Sequence, residues 1–89
     1  MECIVAVAII RDHEVISRGF RSHYELRQAL NPELHDHSIA KPGDVEGFVT
    51  SLGRFVNRRD AKGVAIASGQ ISDRWKTVER DVLSSDIRW

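Results

Sequence analysis

The sequence has little cysteine and no excess of charge of either sign. Among 89 residues there is 1 cysteine, so no disulfide can form within the chain, and a reducing compartment is the simplest setting. Lys and Arg number 13, as do Asp and Glu. Proteins that hold long nucleic acid by its backbone usually carry an excess of positive charge. The charge balance therefore argues against long nucleic acid as a partner.

Long apolar segments are also missing. The apolar run at residues 3–10, CIVAVAII, is too short to span a bilayer, and charged Arg11 and Asp12 follow it. The chain begins Met1-Glu2 and has neither the basic start nor the cleavage site of a signal peptide. We therefore expect no membrane partner and a cytoplasmic location.

What remains is typical of one small folded domain, predicted to cover residues 1–89. Hydrophobic residues make up 42% of the chain and charged residues 29%, which excludes a disordered protein. A chain of this size buries only about 60 to 65% of its unfolded surface. Its core is therefore modest, and oligomerisation would add to it.

Two hairpins are predicted from short β-branched runs. Residues 4–10 form the first strand and residues 15–17 the second, with a polar link between them. Residues 47–50 and 54–56 form a second pair of strands, and Gly53 supplies the left-handed turn position between them. The pattern predicts an antiparallel sheet of about four strands.

The first predicted helix runs from His23 to about Leu30. Ser22 precedes Glu25 by three residues, which is the spacing of a capping box. Its expected apolar face consists of Tyr24, Leu26, Ala29 and Leu30. Residues 31–44, rich in proline and histidine, are predicted to be a loop.

A second helix is predicted to begin after Asn57, whose side chain can accept a hydrogen bond from the first turn, and to stop at Gly69. Its expected apolar face consists of Ala61, Val64, Ala65 and Ser68. Residues 74–83 are read as a third helix from the spacing of their apolar residues. The predicted fold is therefore α+β, a small single domain with two or three helices packed on the sheet.

Positive charge is concentrated where the second hairpin meets the second helix. Arg54, Arg58 and Arg59 lie around Asn57. The first turn of a helix has unpaired N–H groups and partial positive charge, and guanidinium groups donate in pairs to phosphates. A small anionic ligand is the leading hypothesis, with a solvated basic surface as the structural alternative.

Neither a metal site nor a catalytic site is predicted. His35 and His37 form an H-x-H pair, but no third ligand lies nearby to complete a tetrahedral set. The sequence has no nucleophile elbow, phosphate-binding glycine loop or zinc motif. We expect a non-enzyme without cofactors. The enzyme alternative is a small cyclic-nucleotide phosphodiesterase that uses His23 with an acidic partner.

Several segments together resemble small phage proteins of the Thoeris anti-defence type 1 family. They are GFVTSLGRFVNRRDA in the second hairpin, ASGQI at the end of the second helix, SSDIRW, and the pair Arg21 and His23. The resemblance implies a non-catalytic sponge that sequesters cyclic nucleotide immune signals and so inhibits bacterial anti-phage defence. The implied signals are of the glycocyclic ADP-ribose class and also cyclic di- or trinucleotides. The implied location is the cytoplasm of the infected bacterial host.

The resemblance also implies a ligand site. Phe48 and Asn57 would contact the base, and Arg21 and Arg54 the phosphates. With His23 and Arg58 added, the candidate ligand-binding residues are Arg21, His23, Phe48, Arg54, Asn57 and Arg58. Each has a structural alternative, above all Phe48 as a core aromatic and Asn57 as a helix cap.

The resemblance further implies a homo-oligomer, either a dimer or a hexamer. A different hypothesis makes the chain a small phage inhibitor that binds a host protein directly. Its signature would be an exposed apolar patch and no response to small molecules.

Overall fold

Two hairpins form one antiparallel sheet in a computed structural model that describes residues 1–37 and 40–89. The strands are β1 (Ile4–Arg11), β2 (Glu14–Ile16), β3 (Val45–Thr50) and β4 (Phe55–Asn57). Their order in the sheet is β2-β1-β3-β4, so the two long strands lie side by side in the middle. The predicted α+β fold with a four-stranded sheet from two hairpins is confirmed.

Left-handed residues close both hairpins. Asp12 and His13 have φ values of 51° and 66°, which match the right-handed twist of the flanking strands. In the second hairpin Gly53 has φ 78°, as its sequence context predicts.

The two α-helices of the described residues begin and end where the sequence predicts. Helix α1 spans His23–Leu30 and helix α2 spans Arg58–Ser68. The side chain of Asn57 accepts from the N–H of Asp60 at 2.8 Å, and Gly69 ends α2 with φ 79°. The capping box of α1 is not made, because the side chain of Ser22 forms no cap hydrogen bond.

The buried face of α1 differs from the prediction. Leu26 is fully buried, but Tyr24 is 48% exposed and Ala29 is also exposed. His23 and Arg27 take the buried positions instead. Their polar groups bond to β3 and to the following loop, so α1 contributes polar side chains to the interior.

The core lies between the helices and one face of the sheet. The predicted face of α2 is confirmed, since Ala61 and Ala65 are fully buried and Val64 and Ser68 are partly buried. The buried core cluster consists of Ile4, Val7, Ile9, Leu26, Phe48, Val56, Ala61, Ala65, Ile71, Val82 and Ile87. The helices therefore cover the face of the sheet that carries Phe48.

The predicted third helix is wrong. A short 3-10 helix at Asp73–Thr77 is followed by chain without regular helix until a 3-10 turn at Ser84–Asp86. Val82 is fully buried and Ile87 is 6% exposed. The largely irregular chain lets both side chains reach the core.

Two further predictions concern the loop after α1 and the start of β3. The predicted loop at 31–44 has no helix or strand in its described part, and residues 38–39 lie outside the described residues. β3 begins at Val45, two residues before the predicted start at residue 47.

Candidate functional site

A cleft of about 370 Å³ opens between α1, β3, the start of α2 and the segment that follows residue 82. The polar residues that line it are His23, Arg27, Glu46, Arg58, Ser84 and Ser85. We call it the cationic cleft.

Glu46 forms ion pairs with both arginines of this cleft. Arg58 donates to one oxygen of Glu46 at 2.8 Å, and Arg27 donates to the other oxygen. The Nε of Arg27 donates to the carbonyl of His37 at 2.6 Å. Two guanidinium groups face one carboxylate, so the cleft keeps an excess of one positive charge. Fixed guanidinium groups with such an excess favour phosphate or carboxylate ligands.

Arg58 retains an unused donor. Its side chain is 27% exposed, while its Nε is buried and has no hydrogen-bond partner among the described residues. Arg58 is also the first residue of α2, where the helix carries partial positive charge. Both features favour an anion beside this side chain.

His23 retains an unused acceptor. The residue is 2% exposed, and its Nε2 lies 2.8 Å from the carbonyl oxygen of Gly47. Since a carbonyl only accepts, Nε2 carries the proton and Nδ1 of the neutral ring is an acceptor. Nδ1 has no partner in the part of the chain that the structure describes.

The surroundings of His23 keep the ring neutral. Burial is the main cause that lowers its pKa, and the positive charges of Arg58 and Arg27 lower it further. The Gly47 carbonyl and the charge of Glu46 oppose the shift without reversing it. Arg58 Nε, a donor, and His23 Nδ1, an acceptor, thus belong to two residues that line the cationic cleft, and both atoms are buried beneath its surface without a partner among the described residues.

A second cleft of about 260 Å³ adjoins the first and shares Ser84 and Ser85 with it. Its other lining residues include Arg21, Glu25 and Trp89. The guanidinium carbon of Arg21 lies 5.9 Å from the centroid of the Trp89 ring, within cation–π range. We call it the aromatic cleft.

Three of the six predicted ligand residues line these two clefts. His23 and Arg58 lie in the cationic cleft and Arg21 in the aromatic cleft. They come from the N-terminal ends of α1 and α2, which the fold brings to one side of β3.

Phe48 lies in the core beneath the clefts. It is fully buried, with the ring of His23 edge-on at 5.1 Å and the ring of Trp89 tilted at 6.4 Å between centroids. Phe48 is therefore a core aromatic residue in the structure, as its structural alternative states.

Arg54 and Asn57 line neither of the two clefts. Arg54 donates two hydrogen bonds to Glu2, at 2.6 and 2.9 Å, and these bonds, together with one from Thr50, lower the pKa of Glu2 to about 2. The side chain of Asn57 caps α2 through the N–H of Asp60. The predicted cluster of arginines is thus divided, and Arg59 is exposed.

Sequence reasoning missed Arg27, Glu46, Ser84 and Trp89 as residues of the clefts. A signal existed for two of them. Arg27 follows His23 by four residues and shares its helical face. Glu46 is two residues from buried Phe48, so strand alternation places both on one face of the sheet. Ser84 and Trp89 belong to irregular chain whose path has no local signature.

A smaller hollow of about 180 Å³ lies beside the β1–β2 turn. Two cations, Arg11 and Lys41, and two carboxylates, Asp12 and Asp44, line it, and Arg11 is paired with Asp44 at 2.7 Å. The hollow therefore lacks the excess charge of the cationic cleft.

The part of the chain that the structure describes contains no group of three or more His, Cys, Asp or Glu side chains placed to hold a metal ion. In the H-x-H pair, Nε2 of His37 donates to the carbonyl of Asn31 at 2.9 Å. None of the helices in residues 1–37 and 40–89 is long and apolar enough to cross a membrane.

The chain matches a known protein family. Residues 3–89 match the family described as phage T4 y16D protein. No curated protein and no solved structure gives a significant match. The family match covers nearly the whole chain, including both clefts.

Proposed function

The chain belongs to the phage T4 y16D protein family, and we propose that this phage protein sequesters a small nucleotide immune signal. It binds the signal in the cationic cleft, leaves it chemically intact, and so protects the phage from bacterial anti-phage defence in the cytoplasm of the infected host. The resemblance to the Thoeris anti-defence type 1 family supports the class of signal, and the geometry of the cationic cleft supports the class of ligand.

The unpaired donor and acceptor of the cationic cleft carry the proposal. When a ligand enters the cleft and moves the side chains that cover these two buried atoms, Arg58 Nε can donate to a phosphate oxygen and His23 Nδ1 can accept from a sugar hydroxyl. A buried polar group without a partner is rare in native proteins and destabilises them, so a ligand that satisfies both groups gains affinity. A ribose phosphate offers both kinds of group.

The size of the cleft favours a compact signal. Its volume of about 370 Å³ falls in the lower part of the range of about 300–1,000 Å³ usual for ligand sites. Together with the adjoining aromatic cleft of about 260 Å³, it suits signals of the glycocyclic ADP-ribose class better than cyclic trinucleotides.

Sequestration without chemistry is part of the proposal. The alternative, a small cyclic-nucleotide phosphodiesterase, has one observation in its favour, since neutral His23 presents a free Nδ1 that could take a proton. However, the serine hydroxyl beside it, Ser84 Oγ, accepts from the backbone N–H of His23 at 3.4 Å rather than contacting the ring.

Self-association of the chain is proposed as well. The residues on the side of the sheet away from the helices, which we call the outer face, are Ala6, Ala8, Ile10, Val15, Val45, Gly47, Val49, Phe55 and Asn57. None is charged. Ala6, Ala8 and Gly47 are buried, Ile10, Val49 and Phe55 are partly buried, and Val15 and Val45 are each 49% exposed. A water-facing side of an antiparallel sheet normally carries polar residues. A second copy presents the same uncharged face, so two outer faces can stack without burying an unpaired charge.

The same outer face is the observation that favours the inhibitor hypothesis, because a host protein could cover it instead. The two hypotheses differ in whether the protein binds a small molecule. A protein-binding inhibitor needs no ligand, whereas a sponge must hold its signal more tightly than the host effector does. We therefore expect an affinity near nanomolar, about −12 kcal/mol.

One experiment tests the function. Cyclic ADP-ribose isomers and cyclic oligonucleotides are added separately to the protein, and the thermal unfolding temperature is measured. Each ligand is then recovered after heat denaturation and analysed by mass spectrometry. A rise in unfolding temperature with intact ligand supports the sponge. A changed product establishes the phosphodiesterase instead, and no shift with any compound overturns the proposal.

A further inference from the structure

We infer that Trp89 is the stacking surface for the aromatic base of a ligand whose phosphate lies in the cationic cleft. This inference rests on the proposed function and adds a second subsite to it. It assigns the base to a side chain outside the set implied by the family resemblance.

The residues implied for base contact are engaged elsewhere. Phe48 is fully buried between His23 and Trp89, so neither face of its ring is open to a ligand. Asn57 uses its side-chain oxygen to cap α2. A base that binds near the cationic cleft therefore needs a different aromatic partner.

Trp89 has the required position. It is partly buried against the core and lines the aromatic cleft. Arg21 lies over its ring, so the base would meet a tryptophan and a guanidinium, both of which stack on bases. Glu25 lines the same cleft, and its carboxylate can accept from the exocyclic amine of an adenine.

Two other large aromatic side chains are less suited to this role. Trp75 also has cations beside its ring, Arg80 at 4.6 Å and Lys62 at 5.9 Å, but it lines neither cleft. Tyr24 packs edge-on to His37 at 5.8 Å and also lines neither cleft.

The connection between the clefts sets the class of ligand. Ser84 and Ser85 line both, so they lie between the phosphate subsite at Arg58 and the base subsite at Trp89. A ribose that crosses these serines would meet two hydroxyl groups able to hydrogen-bond with it. The ligand is thus an adenine ribonucleotide with its base free to stack, rather than a sugar phosphate alone.

Tryptophan fluorescence tests this directly, because the sequence contains 2 tryptophans, Trp75 and Trp89. In a Trp75→Phe variant the emission comes from Trp89, and titration with glycocyclic ADP-ribose is expected to change it. The matched Trp89→Phe variant emits from Trp75 and is expected to show no change. No change in the first variant, with binding confirmed by calorimetry, overturns the inference.

Affinity gives an independent readout. Trp89→Leu keeps an apolar side chain against Phe48 but removes the stacking surface, and we expect glycocyclic ADP-ribose to bind about 5- to 150-fold more weakly, the loss of one stacked base. Trp89→Phe should retain most of the affinity. Ribose 5-phosphate has no base and should bind the wild type and Trp89→Leu equally.

The outcomes separate this inference from the function on which it rests. If glycocyclic ADP-ribose binds Trp89→Leu as tightly as the wild type, the base subsite is refuted while sequestration stands. If no nucleotide binds the wild type, both are refuted. Should Trp89→Leu fail to fold, the fluorescence of Trp75→Phe decides the question.

Discussion

The imidazole of His23 meets the ring of Phe48 edge-on, with 5.1 Å between centroids and 76° between planes. The residue before Phe48, Gly47, accepts the hydrogen bond from His23 Nε2. Two neighbouring residues of β3 therefore fix the ring and its tautomer, and they aim the free Nδ1 away from the strand. The contacts of His23 with the core thus determine which of its ring nitrogens remains an acceptor in the cationic cleft.

The stability of the protein should depend on pH through His23. Burial lowers the folded-state pKa of His23 below its ordinary value of 6.5, so the unfolded chain takes up this proton first as the pH falls. The contribution to stability is fully present above pH 6.5 and is lost as the pH falls below that value towards the folded pKa. Urea unfolding midpoints at about pH 8 and about pH 5 measure the difference.

A matched pair of variants isolates this effect. His23→Gln keeps a donor for the Gly47 carbonyl but does not titrate, so its midpoint should change less between the two pH values. His35→Gln makes the same change at an exposed position and should behave like the wild type. An equal pH dependence in His23→Gln and wild type would show that His23 is not the source.

Arg58 should contribute more to ligand affinity than its neighbour. Arg58→Ala removes the free Nε donor and a guanidinium of the cationic cleft, and we expect a loss of about 1.5–3 kcal/mol in calorimetric binding of cyclic ADP-ribose isomers. Arg59→Ala makes the same change at an exposed residue outside the cleft and should bind as the wild type does. Equal losses in both variants would indicate general attraction by charge rather than a site.

Arg54→Ala distinguishes the two assignments of the phosphate contact. The family resemblance implies that the change weakens binding, whereas Arg54 in the structure pairs with Glu2 and lines neither cleft. From the geometry we expect unchanged affinity in the same calorimetric assay. A loss as large as that of Arg58→Ala would support the assignment from the resemblance.

The fold was readable from sequence wherever a local interaction decides it. Three residues act only on their immediate neighbours. Gly53 forms the turn of the second hairpin, Asn57 caps the start of α2, and Gly69 ends α2. Tertiary contacts overrode the local pattern after α2, where Val82 and Ile87 both reach the core. The spacing of apolar residues in 74–83, which predicts a helix, is explained instead by side chains that contact the core from irregular chain.

The candidate site was less readable because it joins distant segments. His23 and Glu46 lie 23 positions apart in sequence, from α1 and β3. Arg54 and Arg58 look equivalent in sequence, yet Glu2 binds one and Glu46 the other. Nothing in the local sequence determines which carboxylate reaches which arginine.

Acid should unfold the protein partly through Glu2. The hydrogen bonds from Arg54 and Thr50 lower the pKa of Glu2 from 4.5 to about 2. A depressed folded-state pKa gives stability that is present above pH 4.5 and is lost as the pH falls towards 2. Glu2→Gln should therefore lose less stability than the wild type across this window in acid titrations followed by circular dichroism. Glu14→Gln, the same change on an exposed strand position, should titrate like the wild type.

The outer face should control self-association. Val45 is 49% exposed on this face, opposite Ile10 in the sheet. A lysine at position 45 would place a charge between two stacked sheets, where the charge would lose its hydration. Val45→Lys should therefore shift the protein towards monomer, as measured by light scattering. Leu34→Lys, at a residue 41% exposed in the loop after α1, should leave the mass unchanged. A wild-type protein that is monomeric at about 100 µM, far above the Kd of a stable dimer, would refute the proposal, as would a Val45→Lys variant of unaltered oligomeric mass.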